Sequence, residues 1–538
     1  MKSIKTFLLL VSPILIGIFL VINLQSQEEK TFSFSQEKLV PSVESEIVEL
    51  NEGDSFELSA EMITKEINGE LLTLMGYNGS IPGPTIKVQQ GATVKINFTN
   101  NTPIENTIHS HGIRLANQFD GVPDVTQLAV QPGESFEYEI VFPDAGTYWY
   151  HPHVREDVTQ EMGLYGAFVV EPTEPSYWNE VNQEEYVFLD DYLSSEDGLF
   201  TFYTDFITHT LMGRYGDEYL INGNEDYELE VEQNSTVRFT FLNVANVRPF
   251  NISIDGITTK LVGSDGGRYE NESFVDSVIL GPSERYLLEA YFDEPGTYAL
   301  QHITPEKTYE LGTITVLEKE TDLDLVASFE TLRTSTLIQD EISDFESYYK
   351  KTPDKSLRLT VEMDMQMMED ATISMPGGSE LTGIPCHQMP NGMMMGDCDT
   401  EIHEDEDGIE WEDEMEMMNQ LSTDLNLEWQ IVDENTGDIN DEINWDFELG
   451  EYIVVEMEND KDSMHPMQHP IHFHGQRFTV LSENGLKNEN LVWKDTVLVP
   501  TGYTIRILLE VSNPGEWMAH CHIAEHLHSG MMFDFDVE

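Results

Sequence analysis

The chain is short of cations, of cysteine and of long apolar runs. Only 27 lysines and arginines face 100 aspartates and glutamates in 538 residues, a formal charge of −73. Nucleic-acid binding needs a basic footprint, so that class of partner is excluded. The acidic surplus suits a strongly hydrated surface that stays soluble in high salt, and it also gathers cations. Three cysteines are too few for a disulfide-stapled scaffold. Cys386 and Cys398 share one segment and, in an exported protein, form a disulfide or contribute metal ligands. Cys521 stands alone.

There is one apolar run, Phe7 to Leu24, and it follows Lys2 and Lys5. It is long for a signal peptide and marginal for a membrane span. No small-x-small cleavage site and no Arg-Arg pair accompanies it. Residues 1–25 are therefore expected to be a signal peptide or an uncleaved membrane anchor. The rest of the chain is then periplasmic or extracellular.

No long stretch shows a helical period. Short alternating strands between Gly, Pro and Asn turns predict an all-β fold. One unit recurs three times, at 82–112, 221–256 and 447–475, each ending its last short strand in Gly. A second unit follows each copy, at 132–153, 281–302 and 500–522, and carries a strand into histidine. A repeat this long predicts three β-sandwich domains, near 45–175, 180–318 and 325–538. The middle copy has Asp255 in place of His and keeps only His302, so metal chemistry is expected in the first and third.

Ten of the 16 histidines fall in four patterns: His109-Ser110-His111, His151-Pro152-His153, His469-Pro470-Ile471-His472-Phe473-His474, and His520-Cys521-His522 with His526. Residues i and i+2 of a strand face the same way, about 6.6 Å apart. Four such pairs can turn eight imidazoles into one space between the terminal domains. The same alternation puts Cys521 on the opposite face, where His469 and His526 are free to join it. Two imidazoles, a thiolate and a weak axial methionine describe a blue-copper site, with Met531 as the axial ligand. Zinc sites usually close at four ligands and need neither eight imidazoles nor a thioether.

The motifs HSHG (109–112), YWYHPH (148–153), HPIHFHG (469–475) and HCHIAEHLHSGMM (520–532) resemble those of the multicopper oxidase family, which includes laccases and bacterial cuprous oxidases. The resemblance covers nearly everything after residue 45. It implies three cupredoxin-like Greek-key sandwiches and four coppers. By it, His469, Cys521, His526 and Met531 hold a type-1 copper, and His109 and His472 a type-2 copper. His111, His151 and His522 hold one copper of a type-3 pair; His153, His474 and His520 hold the other. It also implies electron transfer from the type-1 site through Cys521 to dioxygen. Asp120 matches the family's acid near the type-2 site, although an ordinary Asp-Gly turn accounts for it equally well. Leu527 stands where many bacterial members have a glutamate, which leaves the second proton route unassigned.

Twelve of the 23 methionines lie between 363 and 418, among glycines, prolines and acids. Thioethers of this kind select Cu(I). A methionine-rich insert at about 364–424 resembles that of the cuprous oxidases. The resemblance offers Met363 and Met467 as ligands of a substrate copper, with Glu369 or Asp370 as the carboxylate, while His465 departs from the pattern. Residues 401–416 read as a solvated acidic run. His209, His302, His403 and His528 read as ordinary surface or core residues. The expected activity is oxidation of Cu(I), with dioxygen as acceptor, by a monomer serving copper tolerance. The alternatives are a laccase acting on phenols or aromatic amines, and a copper-sequestering protein without turnover.

Overall fold

A computed structural model of the chain describes residues 30–32, 34, 39–195, 198–199, 201–363 and 407–538, together with four two-residue strands between 373 and 395. Strands dominate these residues, and the longest helix among them is Glu416–Leu421. The fold is all-β, as the alternation predicts. The strand Tyr227–Gln233 shows why: Tyr227, Leu229 and Val231 are buried, and the glutamates between them are exposed. Gly146–His151, by contrast, is buried at every position, because it lies between its own core and neighbouring sandwiches.

Six large sheets form three sandwiches of one topology. In each, the first sheet pairs an opening strand in parallel with a later one: Ser55–Ile67 with Thr93–Asn100, Gln183–Tyr192 with Ser235–Asn243, and Lys355–Met363 with Tyr452–Asn459. An antiparallel strand then follows in every case. The two sheets of each sandwich share one apolar core.

Buried charges clasp the sandwiches together. Arg285 of the middle sandwich donates to the Thr147 carbonyl of the first at 2.9 Å. The same guanidinium grips Asp495 of the third at 2.7 and 2.5 Å. Beside it Lys494 meets Asp265 at 3.0 Å and Glu284 at 3.2 Å. Gly112, which ends the first HSHG motif, has φ +81°, and a Cβ there would lie 2.1 Å from Asp495 Oδ2.

The described end of the insert departs from expectation. Trp411, Met415 and Met418 are buried, the two methionines within the core of the third sandwich. Glu412 Oε2 lies 2.9 Å from Arg248, a buried cation that Asp191 holds at 2.6 Å. A distant guanidinium thus binds part of the run that local charge counting assigned to solvent. Residues 364–406, the N-terminal 1–29 and any pairing of Cys386 with Cys398 lie outside the described side chains.

Replacing Arg285 with Ala would strand a buried carboxylate, and the expected loss of stability is about 3–5 kcal/mol. The denaturant midpoint of unfolding reads it; an unchanged midpoint would contradict the clasp.

Candidate metal centre

The first and third sandwiches meet along their histidine strands. His109–His111 runs antiparallel to Gly146–His151, with His109 opposite His151. His469–Phe473 runs antiparallel to Gly515–Cys521, with His472 opposite His520. Strand alternation puts each H-x-H pair on one side, and the four pairs converge. Ring centroids of His109 and His474 are 4.1 Å apart, and those of His111 and His472 3.7 Å. His153 lies 5.4 Å from His520, and His151 lies 5.1 Å from His522. Donor atoms gather within 4.8 Å in the sets His109, His472, His474; His109, His111, His151; and His153, His474, His520.

Each ring is anchored by one nitrogen and presents the other. His109, His151 and His472 use Nδ1 to reach the carbonyls of Asp120, Pro152 and Asp495 at 2.7, 2.7 and 2.8 Å. His111 uses Nε2, 3.0 Å from both Asp495 Oδ1 and Thr496 Oγ1. The inward nitrogens, Nε2 of His109, His151, His153, His472 and His522 and Nδ1 of His111, are buried without a hydrogen bond. His474 Nε2 and His520 Nε2 face each other at 2.9 Å. Burial holds the imidazoles of His111, His151, His472, His474, His520 and His522 down, the last to about 3, so these six are neutral and offer lone pairs. Buried acceptors left bare are costly, and a shared metal satisfies them. The residues present fit a metal cluster.

Cys521 faces the other way. Its Sγ lies 3.6 Å from His469 Nδ1 and 3.8 Å from His526 Nδ1, and the two nitrogens are 3.3 Å apart. Burial raises the thiol well above its usual range, so an apo site keeps its proton. Met531 is buried beside it: its carbonyl accepts from the Cys521 amide, and its amide donates to the His526 carbonyl, both at 3.1 Å. Trp429 stacks on His526 at 4.1 Å and meets His469 edge-on at 4.7 Å. Its indole donates to Thr210 O of the middle sandwich at 2.6 Å. The loop that follows brings Met212 Sδ to 2.8 Å from His465 Nε2. Both type-1 candidate histidines are fully buried under this cover.

Asp120 closes a single 3-10 turn, so it is a turn residue; it also reaches the cluster, with Oδ2 2.8 Å from His474 Nδ1. Met467 is fully buried, Met363 partly, and both pack on the core that holds Cys521. Glu369 and Asp370 lie outside the described residues. Leu527 packs with Val122 and Met518, so no carboxylate stands there. Glu525 is buried, which pushes its carboxyl up to about 7.

Sequence reasoning missed Asp495, Trp429, Met212 and Glu156. A Glu three residues after a ligand histidine was a signal for the last. His528, read from sequence as ordinary, lies 2.6 Å from Glu156 Oε2. His302 is an ordinary core residue, packed among Tyr219, Phe250, Tyr309 and Trp411.

Three multicopper oxidase family profiles match the chain, at residues 60–175, 186–319 and 411–538. The chain is 25% identical to the multicopper oxidase mco of Staphylococcus epidermidis, over 94% of each protein. It is 25% identical to the multicopper oxidase MmcO of Mycobacterium tuberculosis, over 88% of this chain and 84% of that one. With rice Laccase-3 the identity is 24%, over 86% and 88%. Among solved structures, the multicopper oxidase of Campylobacter jejuni, described as a metallo-oxidase, superposes with a TM-score of 0.66 at 23% identity, covering 95% of this chain and 98% of that one. That of Pseudomonas thermotolerans gives 0.64 at 24% identity, covering 91% and 100%. Profiles spanning all three sandwiches, together with a histidine seam built to hold metal, show that the chain belongs to the multicopper oxidase family, whose members are copper-dependent oxidoreductases.

Proposed function

We propose that the chain is a four-copper oxidase that takes single electrons mainly from Cu(I). In this reading His469, Cys521, His526 and Met531 hold the type-1 copper, and His109 and His472 the type-2 copper. His111, His151 and His522 hold one type-3 copper, and His153, His474 and His520 the other. When bound, the coppers supply the redox chemistry by which four electrons from substrate turn dioxygen into two waters.

The observation that carries the reading is the position of Cys521. Its sulfur meets two imidazoles on one face of a strand, while its chain neighbours His520 and His522 join the eight-imidazole cluster on the other. One covalent path therefore links both sites. A sequestering protein has no use for that link. Asp120 and Asp495 orient the cluster rings, and Asp120 is an acid in direct contact with the cluster, placed for proton supply.

The cover over His469 and His526 favours a small substrate over a phenol. Trp429 lies against both rings, and the Met212 loop closes over them, so water and bulky rings are kept off. The thioethers of Met212, Met363 and Met467 lie in or against the apolar cluster that holds Cys521, and they suit Cu(I). The Campylobacter relative, a metallo-oxidase, agrees with this reading. The laccase reading rests on the likeness to rice Laccase-3. An exported monomer serving copper tolerance completes the proposal.

Removing residues 364–406, and sparing the buried segment after them, should lower Cu(I) turnover and raise phenol turnover in steady-state assays. Cu(I) turnover that survives the deletion unchanged rules out the cuprous role. Oxygen uptake distinguishes oxidase from store, since a sequestering protein consumes none with any reductant.

The raised thiol of Cys521 gives a second expectation. The apo site is protonated at neutral pH, so copper entry must expel that proton, and loading should weaken as pH falls. An indicator dye in weak buffer should report proton release from the native chain and one proton less from Cys521→Ser, which should also lack the blue thiolate-to-copper band.

A further inference from the structure

Directly after His526, Leu527 is apolar and buried with Val122 and Met518. A carboxylate reaches the same neighbourhood from the opposite sandwich. Arg155 turns the backbone with φ +48°, and Glu156 opens the short helix Glu156–Thr159 directly after it. Arg155 itself is tied down, bidentate to Asp157 at 2.8 and 2.9 Å and to the Tyr203 carbonyl at 2.9 Å. The turn folds Glu156 back towards the ligand three residues earlier. Its Oε1 lies 3.0 Å from His153 Nδ1, with both side chains almost wholly buried. Its Oε2 lies 2.6 Å from Nε2 of His528, the last residue of the helix Ala524–His528 that also carries His526.

We infer that Glu156 is a positioning residue: it fixes His153 with Nε2 turned into the cluster, and through His528 it locks that ring to the third sandwich. The inference rests on the copper reading above. A ring nitrogen that presents a lone pair to a metal must carry its proton on the other nitrogen, and that proton needs an acceptor. Glu156 Oε1 is placed to be it. For His109, His151, His472 and His520 the acceptor is a backbone carbonyl, and for His474 it is the Asp120 carboxylate. His153, like His474, depends on a side chain, and His528 is what immobilises that of Glu156. One carboxylate therefore couples the docking of two sandwiches to the aim of one ligand.

Copper retained per chain after dialysis against a chelator, read together with the blue band of the Cys521 site, tests this. Glu156→Leu should keep the blue band while cluster copper binds about 10–100-fold more weakly, as is usual when such a partner is lost. Glu156→Gln should hold copper as the native chain does, because its amide oxygen still accepts from His153 and its amide N–H can donate to neutral His528. Native copper retention in Glu156→Leu overturns the inference. So does loss of cluster copper in Glu156→Gln, with or without the blue band, and this second variant decides the matter if Glu156→Leu fails to fold. A native chain that itself retains no cluster copper would sink the copper reading instead, and the two failures are distinct.

Discussion

The seam between the terminal sandwiches is lined by eight imidazoles that would repel one another if charged. Six of them turn a buried nitrogen inward without a hydrogen-bond partner, and those of His474 and His520 meet only each other. That tension is the constraint behind much else in the structure. Each ring needs an acceptor on its outer nitrogen, which explains Asp120, Asp495 and the run of inward-turned carbonyls. Each sandwich must also stay docked while its rings are unsatisfied, which explains the expense of burying Arg285 and Lys494 with their acids. Buried ion pairs are poor sources of stability, but they are exacting about geometry. Here that geometry keeps two sets of ligands in register.

The middle sandwich holds no candidate ligand, yet it governs both sites. Arg285 reaches the first and third sandwiches at once. The loop around Thr210 and Met212 roofs the Cys521 site and is itself pinned by Asn419 and Ser422. A domain without candidate ligands of the four coppers thus serves as clamp and lid. Its His302 packs among aromatic rings.

The gathering of the histidines and Cys521 was legible because its signal is local. H-x-H on a strand fixes the facing of two rings, and HCH fixes a sulfur opposite them. Repetition of the unit made the all-β fold legible in the same way. What lay out of reach depends on contacts across the chain: Asp495 finds His111 from 384 residues away, and Glu156 finds His528 from 372. The acidic run misled for the same reason, since the guanidinium that receives Glu412 belongs to another sandwich.

The split of the seam between chain ends has a consequence for biosynthesis. At about 5–20 residues per second, the ribosome finishes Asp495 roughly 20–80 s after His111. Until the third sandwich is in place, the first holds only half of the histidine cluster, His109, His111, His151 and His153. Any ion taken up then meets too few donors to be held with the selectivity of the finished cavity. The complete donor set therefore exists only once the last sandwich has closed on the first.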